Sequence, residues 1–501
     1  MEKSGIRKIF NLDKLEVDSQ VEGITNLSNT KRRNLTKEDI INSRGEFVGY
    51  FSDEESLNLF RDRIGGRNLY YAVYGKRVYV STDILWVVTN YNWGPELNLD
   101  YVNSQYLEFQ IPFNDETIYK RIYKVMPGEI VTFNKKEMFK ERYWSISKYF
   151  NEQKFNPKHL LDLIIDAVEF RKKIIGENFT SYLSGGIDSS SVTLLSKPLV
   201  CFTGYYDQKE YSELDYVRAV LQKGSLDNIR VEIKENSFYD LLKELPKIMP
   251  DPMAGLGVIP QALVSIAAGS NYNYAFTGEG GDEVFGGYPW NYAIMEQVKN
   301  LRLLGERDKY LIGWGSMINK MLHHAFVGFT ATALGRGPNK EKQLELIESV
   351  WDYSQSVENN LFLININIGL PCILTVDECV GKYSGVVPVS PLIDHNIIEY
   401  IASVNPEERR KIPKYLLREA MKNILPEKIR VRGDKMGFPV PSELWKWPML
   451  DPLLSSLWRR EIISPYLVDN CQNSKTMSRQ TWALVNIELI CRSLENKGEI
   501  K

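Results

Sequence analysis

Residues Phe179-Thr180-Ser181-Tyr182-Leu183-Ser184-Gly185-Gly186-Ile187-Asp188-Ser189-Ser190-Ser191-Val192 decide how this chain folds. The run up to Leu183 is rich in β-branched and aromatic residues and suits a strand. Gly185 and Gly186 allow backbone angles and a close approach that a Cβ would forbid. Ser184, Ser189 and Ser190 add hydroxyl donors at the start of a helix, where free N–H groups and a dipole of about +0.5 charge favour phosphate. Asp188 is the odd member, since a carboxylate beside a phosphate makes sense mainly with Mg²⁺ between them. A serine-capped helix after a glycine turn is the plainer alternative, but S-G-G-x-D-S-S in strand-turn-helix context favours a cradle for a magnesium nucleotide. The stretch lacks G-x-x-x-x-G-K-[ST], which argues against a P-loop that transfers a γ-phosphate.

Working outward, Leu199-Val200-Cys201-Phe202-Thr203-Gly204 reads as the next parallel strand. A strand-helix-strand unit with its ligand at the strand's carboxyl end is the doubly wound geometry. Upstream, Leu161, Ile164, Ile165 and Val168 have helical apolar spacing, and residues 212–222 predict a helix beside the site. Asn273-Tyr274-Ala275-Phe276 predicts a short strand that runs into Thr277-Gly278-Glu279-Gly280-Gly281-Asp282-Glu283-Val284-Phe285-Gly286-Gly287-Tyr288. Gly278 and its neighbours let the backbone crowd a ligand, while Glu279, Asp282 and Glu283 crowd one another. Three such carboxylates are costly unless a cation or a reacting amine neutralises them. An exposed acidic turn is the bland alternative; a second catalytic loop after a strand accounts for more of the pattern.

The chain has 501 residues, more than one hydrophobic core usually supports, so two or more domains are expected. Its net charge of −2 provides no global attraction for nucleic acid or an anionic membrane. Five scattered cysteines form no C-x-x-C pair and are read as reduced thiols. No signal-peptide pattern follows the first residues, and no run approaches ~18 apolar residues, so a cytoplasmic protein with no membrane and no nucleic-acid partner is expected. Residues 1 to about 45 are polar and weakly patterned. Gly45–Phe51, a hairpin of Leu69–Tyr74 with Arg77–Ser81, and Gly128–Phe133 predict a mainly β first domain over 1–153. A linker at 154–157 then leads to a second domain over 158–501. Residues 290–365 read as mostly helical, with His323 and His324 as ordinary packing or surface histidines rather than metal ligands.

The first loop resembles that of ATP pyrophosphatases, and the chain as a whole resembles the asparagine synthetases. Arg61-Asp62-Arg63-Ile64-Gly65-Gly66-Arg67-Asn68-Leu69-Tyr70-Tyr71 is similar to R-D-x-x-G-x-x-x-L-Y-Y of their glutaminase domain, and Ile122–Gly128 to I-x-x-L-P-P-G. The acidic loop resembles G-E-G-x-D-E-x-F-G-G-Y, and Asp434-Lys435-Met436-Gly437-Phe438-Pro439-Val440-Pro441 resembles K-x-G-F-x-x-P. The resemblance implies an α/β fold: a degenerate glutaminase-like, β-rich (α+β) first domain and a doubly wound parallel-sheet ATP pyrophosphatase domain with helical additions. It further implies ATP and Mg²⁺ as cofactors, Asp188 and Asp282 as metal ligands, Glu279 facing the acyl-adenylate and the amine, and Lys435 meeting the developing pyrophosphate.

Two departures matter. Those glutaminases use a cysteine directly after the initiator methionine; here that residue is Glu2, and no cysteine precedes Cys201. Val387 and Val389 stand where the family usually has Glu and Arg, which predicts a more apolar substrate pocket. Together these make the chain most similar to lasso peptide cyclases, which form a macrolactam in a precursor peptide and act with a leader peptidase and a leader-recognition protein. The competing expectation is an asparagine synthetase, or an amidotransferase using free ammonia or another amine on a small carboxylic acid or a sugar.

Overall fold

A computed structural model describes residues 5–27, 35–91, 94–253, 255–288, 291–292, 349, 352, 354–434, 440–463 and 477–496. The expected helices of 290–365, His323, His324 and Lys435 therefore fall largely or wholly outside the described residues.

The N-terminal part is two antiparallel sheets. Strands β1 (Arg7–Asn11), β5 (Tyr70–Tyr74), β6 (Arg77–Ser81) and β7 (Ile122–Lys124) form one in the order β1-β6-β5-β7. Strands β2 (Asp18–Thr25), β3 (Gly45–Ser52), β4 (Ser56–Arg61), β8 (Glu129–Asn134) and β9 (Met138–Arg142) form the other in chain order. Tyr50, Leu57, Leu59 and Val131 of the second sheet share one buried core with Tyr71, Val78 and Val80 of the first. The hairpin turns at Gly75, as its sequence predicts, with Tyr74 opposite Arg77. Strands β4 and β7 are not marked in the sequence reading, and strands β1, β2 and β9 escape it for a physical reason. β1 and β9 are exposed at sheet edges and β2 is half-buried, so none shows a clean apolar alternation.

Arg61 and Asp62 of the R-D-x-x-G motif are spent on this fold. Asp62 Oδ1 accepts the backbone N–H groups of Ile64 at 2.9 Å, Gly65 at 2.8 Å and Gly66 at 3.2 Å. Arg61 donates to Gly65 O and Asn68 Oδ1, both at 2.8 Å. The loop so held reaches across to the second part of the chain, where Thr375 donates to Asn68 Oδ1 at 3.0 Å and Arg67 donates to Pro388 O at 3.3 Å.

The second part is built on a parallel sheet of β10 (Phe179–Tyr182), β11 (Val200–Tyr205), β12 (Asp227–Glu232), β13 (Tyr274–Phe276) and β14 (Val387–Val389), in the order β12-β11-β10-β13-β14. The chain moves outward from β10 through β11 to β12, then returns to the other side of β10 for β13 and β14. That reversal, between β10 and β13, is where open parallel sheets bind ligands. Helix Pro157–Ile175 begins on the N-cap Asn156, whose side chain accepts from Lys158 N and His159 N, at the boundary the sequence marks as a linker. One continuous helical stretch, Val357–Ser384, is long and apolar enough to cross a membrane by length and composition. Most of it is buried inside the protein, and wider π turns at Asn365–Gly369 interrupt it, so it serves as a core helix.

Candidate active site

At the switch point, the strand-turn-helix element forms as its residues dictate. Gly185 adopts φ +80°, and a Cβ there would come within 2.8 Å of Tyr216 Cβ. Gly186 caps helix Ile187–Ser196 with extended backbone and no side-chain cap, which leaves the first N–H groups facing the loop. Ser184 and Ser189 join across it, with their hydroxyls 3.0 Å apart and Ser184 N donating to Ser189 Oγ at 3.2 Å. The loop after β13 is packed directly against this turn. A Cβ on Gly278 would lie 2.5 Å from Ser189 N, and one on Gly281 would lie 2.4 Å from Asp188 Oδ1. Only glycine lets the two loops meet.

Where they meet, a cavity of about 500 Å³ opens, lined among others by Leu183, Ser184, Asp188, Ser189, Gly278 and Glu279. Asp282 joins this wall, so the structure brings together most of the residues marked in the sequence. Gly185 and Gly186 shape the turn without lining the cavity. Ser190 is fully buried in the helix and is not among the residues of the cavity wall, because its place one residue after Ser189 turns it about 100° around the helix. Lys435 lies outside the described residues, although its neighbour Asp434 accepts from Tyr216 OH at 2.9 Å and from Arg432 Nε at 3.0 Å. Arg432 in turn stacks on the Tyr216 ring at 3.8 Å, donates to Gly185 O at 3.3 Å and pairs with Glu213. This network fixes the start of that loop beside the pyrophosphate turn.

Sequence reading missed the cation at the centre. Lys414, itself buried, sets its Nζ between the two aspartates, in contact with Asp188 Oδ2 and 2.6 Å from Asp282 Oδ1. Its only signal in the sequence is a basic residue ahead of helix Tyr415–Ala420, which nothing local distinguishes from a solvated lysine. Beside it, Glu283 is buried and receives the Tyr288 hydroxyl; burial and the neighbouring Asp282 charge push its carboxyl up to about 8.

The expected apolar pocket is not formed by the two valines. Val387 and Val389 pair with Tyr274 and Phe276 in the sheet, Val389 is fully buried in the core, and neither lines the cavity. Residues whose importance only the fold reveals take that wall instead: Gln261, Asp377 and Arg479, with apolar Leu256, Val264 and Ile373. Asp377 accepts from Gln261 Nε2 at 2.8 Å and, more weakly, from Thr277 Oγ1 at 3.5 Å. Burial raises its carboxyl above the ordinary range, against the opposing pull of Arg67 and these hydrogen bonds.

Comparison with known proteins agrees with this geometry. The family profile for asparagine synthase matches residues 159–492, and that for the glutamine amidotransferase domain matches residues 38–144. The chain is 24% identical to asparagine synthetase (glutamine-hydrolyzing) 1 of Bacillus subtilis, over 90% of this chain and 78% of the relative. It is 28% identical to a putative asparagine synthetase 2 of Methanocaldococcus jannaschii over 56% of each chain. It is also 24% identical to the amidase chyE of Penicillium rubens, over 83% of this chain and 73% of the relative. The chain belongs to the asparagine synthase family and is an ATP-dependent amide-forming ligase of that type.

Proposed function

We propose that the enzyme activates a carboxylate as an acyl-adenylate, releases pyrophosphate, and passes the acyl group to an amine, with free ammonia or another small amine acting on a small carboxylic acid as the first reading. The carrying observation is the meeting of two loops at one cavity: the N-terminus of helix Ile187–Ser196 with Ser184 and Ser189 faces Glu279 and Asp282 across the switch point. Free N–H groups and hydroxyls there suit a polyphosphate. The leucine, valine and isoleucine wall offers a place for a base or an acyl chain.

The aspartate pair fits Mg²⁺. Asp188 and Asp282 both aim at one point, which Lys414 Nζ takes, so the gap between them suits a small cation. Among the described residues no three His, Cys, Asp or Glu side chains converge on a metal, which accords with an ion that takes only one or two carboxylates and completes its shell with nucleotide phosphates. Bound there, Mg²⁺ would neutralise the leaving pyrophosphate. Lys414 would add fixed positive charge on the same side, and the motif's resemblance assigns a like role to Lys435. Glu279 would take or relay a proton from the attacking amine.

A second reading, macrolactam formation in a precursor peptide, draws support from the lack of any cysteine before Cys201 in a chain whose residues 38–144 are similar to a glutamine amidotransferase domain. In that case a leader peptidase and a leader-recognition protein would be partners. The test is Mg-ATP turnover by the full chain with aspartate plus ammonium, and separately with a peptide bearing an N-terminal amine and an aspartate side chain. AMP and pyrophosphate with aspartate and ammonium support the first reading; AMP only with peptide, and a product lighter by one water, supports the second. ADP in place of AMP refutes adenylation.

A further inference from the structure

We propose that Asp377 receives the amine donor: its carboxylate binds the incoming ammonium on the cavity wall and takes its first proton. This rests on the adenylation reading above and names the amine side of that site. Six charged side chains line the cavity: the carboxylates of Asp188, Glu279, Asp282, Glu283 and Asp377, and Arg479. The wall is thus built for cations. Asp188 and Asp282 already share Lys414, and Glu283 is engaged by the Tyr288 hydroxyl. Asp377 differs in that its hydrogen bonds come from neutral groups, Gln261 and Thr277, and the cation that acts on it, Arg67, does so without a hydrogen bond to it. A carboxylate only 3% exposed and held by neutral donors is where a cationic ligand supplies the missing charge.

Its surroundings suit that task. Arg67, from the loop held by Asp62, acts on it at longer range and favours the charged form, while Glu378 on its own helix and burial oppose it. Tyr182, at the end of β10, also feels the Asp377 charge. Gln261, from helix Val258–Gly269, fixes one carboxylate oxygen. Thr277 ties the other to the acidic loop, because the same hydroxyl accepts the backbone N–H of Glu279 at 3.1 Å. The two carboxylates therefore stand on one connected frame.

The proton accounting closes. The ammonium gives one proton to Asp377 and becomes a neutral amine. Its nitrogen forms the C–N bond as the C–O bond to AMP breaks, the electron pair leaving on the phosphate, and its second proton goes to Glu279. Without the carboxylate of Asp377, an amine that arrives charged must lose its proton unaided, whereas one that arrives neutral does not.

The experiment compares wild type, Asp377→Asn, Asp377→Glu and Gln261→Leu with two nucleophiles at neutral pH: ammonium, which arrives charged, and hydroxylamine, which arrives neutral. The acyl donors are aspartate and the aspartate-bearing peptide, and amide and hydroxamate are quantified separately. In Asp377→Asn the ammonium reaction falls ~100-fold or more, within the range of a lost proton acceptor, while hydroxamate stays near wild type; Asp377→Glu recovers part of the ammonium rate and Gln261→Leu loses less. Equal loss with both nucleophiles, or loss with neither, overturns the assignment. Failure of wild type to form AMP or hydroxamate with either donor would instead strike the adenylation reading.

Discussion

Replacing Lys414 with methionine tests the centre of the site most directly. At 2.6 Å from Asp282 Oδ1, and closer still to Asp188, its charge is worth about 6 kcal/mol of attraction per pair at an effective dielectric of ~20. Part of that is offset by the cost of burying the ammonium. Removing one member of a buried ion pair typically destabilises by about 3–5 kcal/mol, because the carboxylates keep their charge in a dry setting. For a folding unit of more than ~250 residues, at about 2 °C per kcal/mol, Lys414→Met should melt roughly 6–10 °C below wild type in metal-free buffer. Mg²⁺ should then restore what the lysine supplied. At about 100 times its dissociation constant it returns about 2.7 kcal/mol, so the variant's Tm should climb with Mg²⁺ much more than that of wild type, whose lysine competes for the same gap. The assay is differential scanning calorimetry across a magnesium titration without nucleotide. A variant that melts with wild type would refute the ion-pair argument, and one whose Tm ignores magnesium would refute the placing of the metal between the aspartates.

Three further outcomes follow from the same geometry. Gly281→Ala would drive a methyl to 2.4 Å from Asp188 Oδ1 and Gly278→Ala one to 2.5 Å from Ser189 N; both should lose ATP-dependent pyrophosphate release while circular dichroism stays unchanged, and full activity in either would show that the loops need not touch. Arg171 and Arg44 hold Asp394 at about 2, and burial beside Arg63 holds His395 at about 4. Each is more easily protonated in the unfolded chain, so their contribution is present above about pH 6.5 and is lost as pH falls, first through His395 and then through Asp394, by up to about 3 kcal/mol for the histidine. His395→Gln should therefore flatten the fall in stability between about pH 6.5 and 4; an unchanged profile from denaturation midpoints would exclude this histidine. Asp62→Ala would strip the acceptor from four backbone N–H groups, those of Phe47, Ile64, Gly65 and Gly66, and should destabilise the N-terminal part by about 2–4 kcal/mol, read as a lowered first transition in a thermal melt.

Much of this protein is written locally. Glycine pairs, hydroxyls at a helix start and short apolar strands are readable because each acts within a few residues: Gly185 must take a positive φ, and Asp188 must sit in the first helical turn. The order of those signals was enough for a parallel sheet with ligand loops after β10 and β13. Strands β1, β9 and β12 left no such mark, since polar edge strands owe their form to partners distant in sequence. Tertiary structure alone decided which charges meet. Lys414 lies 226 residues from Asp188, and Asp377 lies 116 from Gln261, separations over which no periodicity carries information. It also took Val387 and Val389 out of the pocket, because strand pairing beside β13 sends one into the core and neither to the cavity. Residue types and short spacings thus determined the chemistry available to the chain, and packing determined where that chemistry is brought to bear.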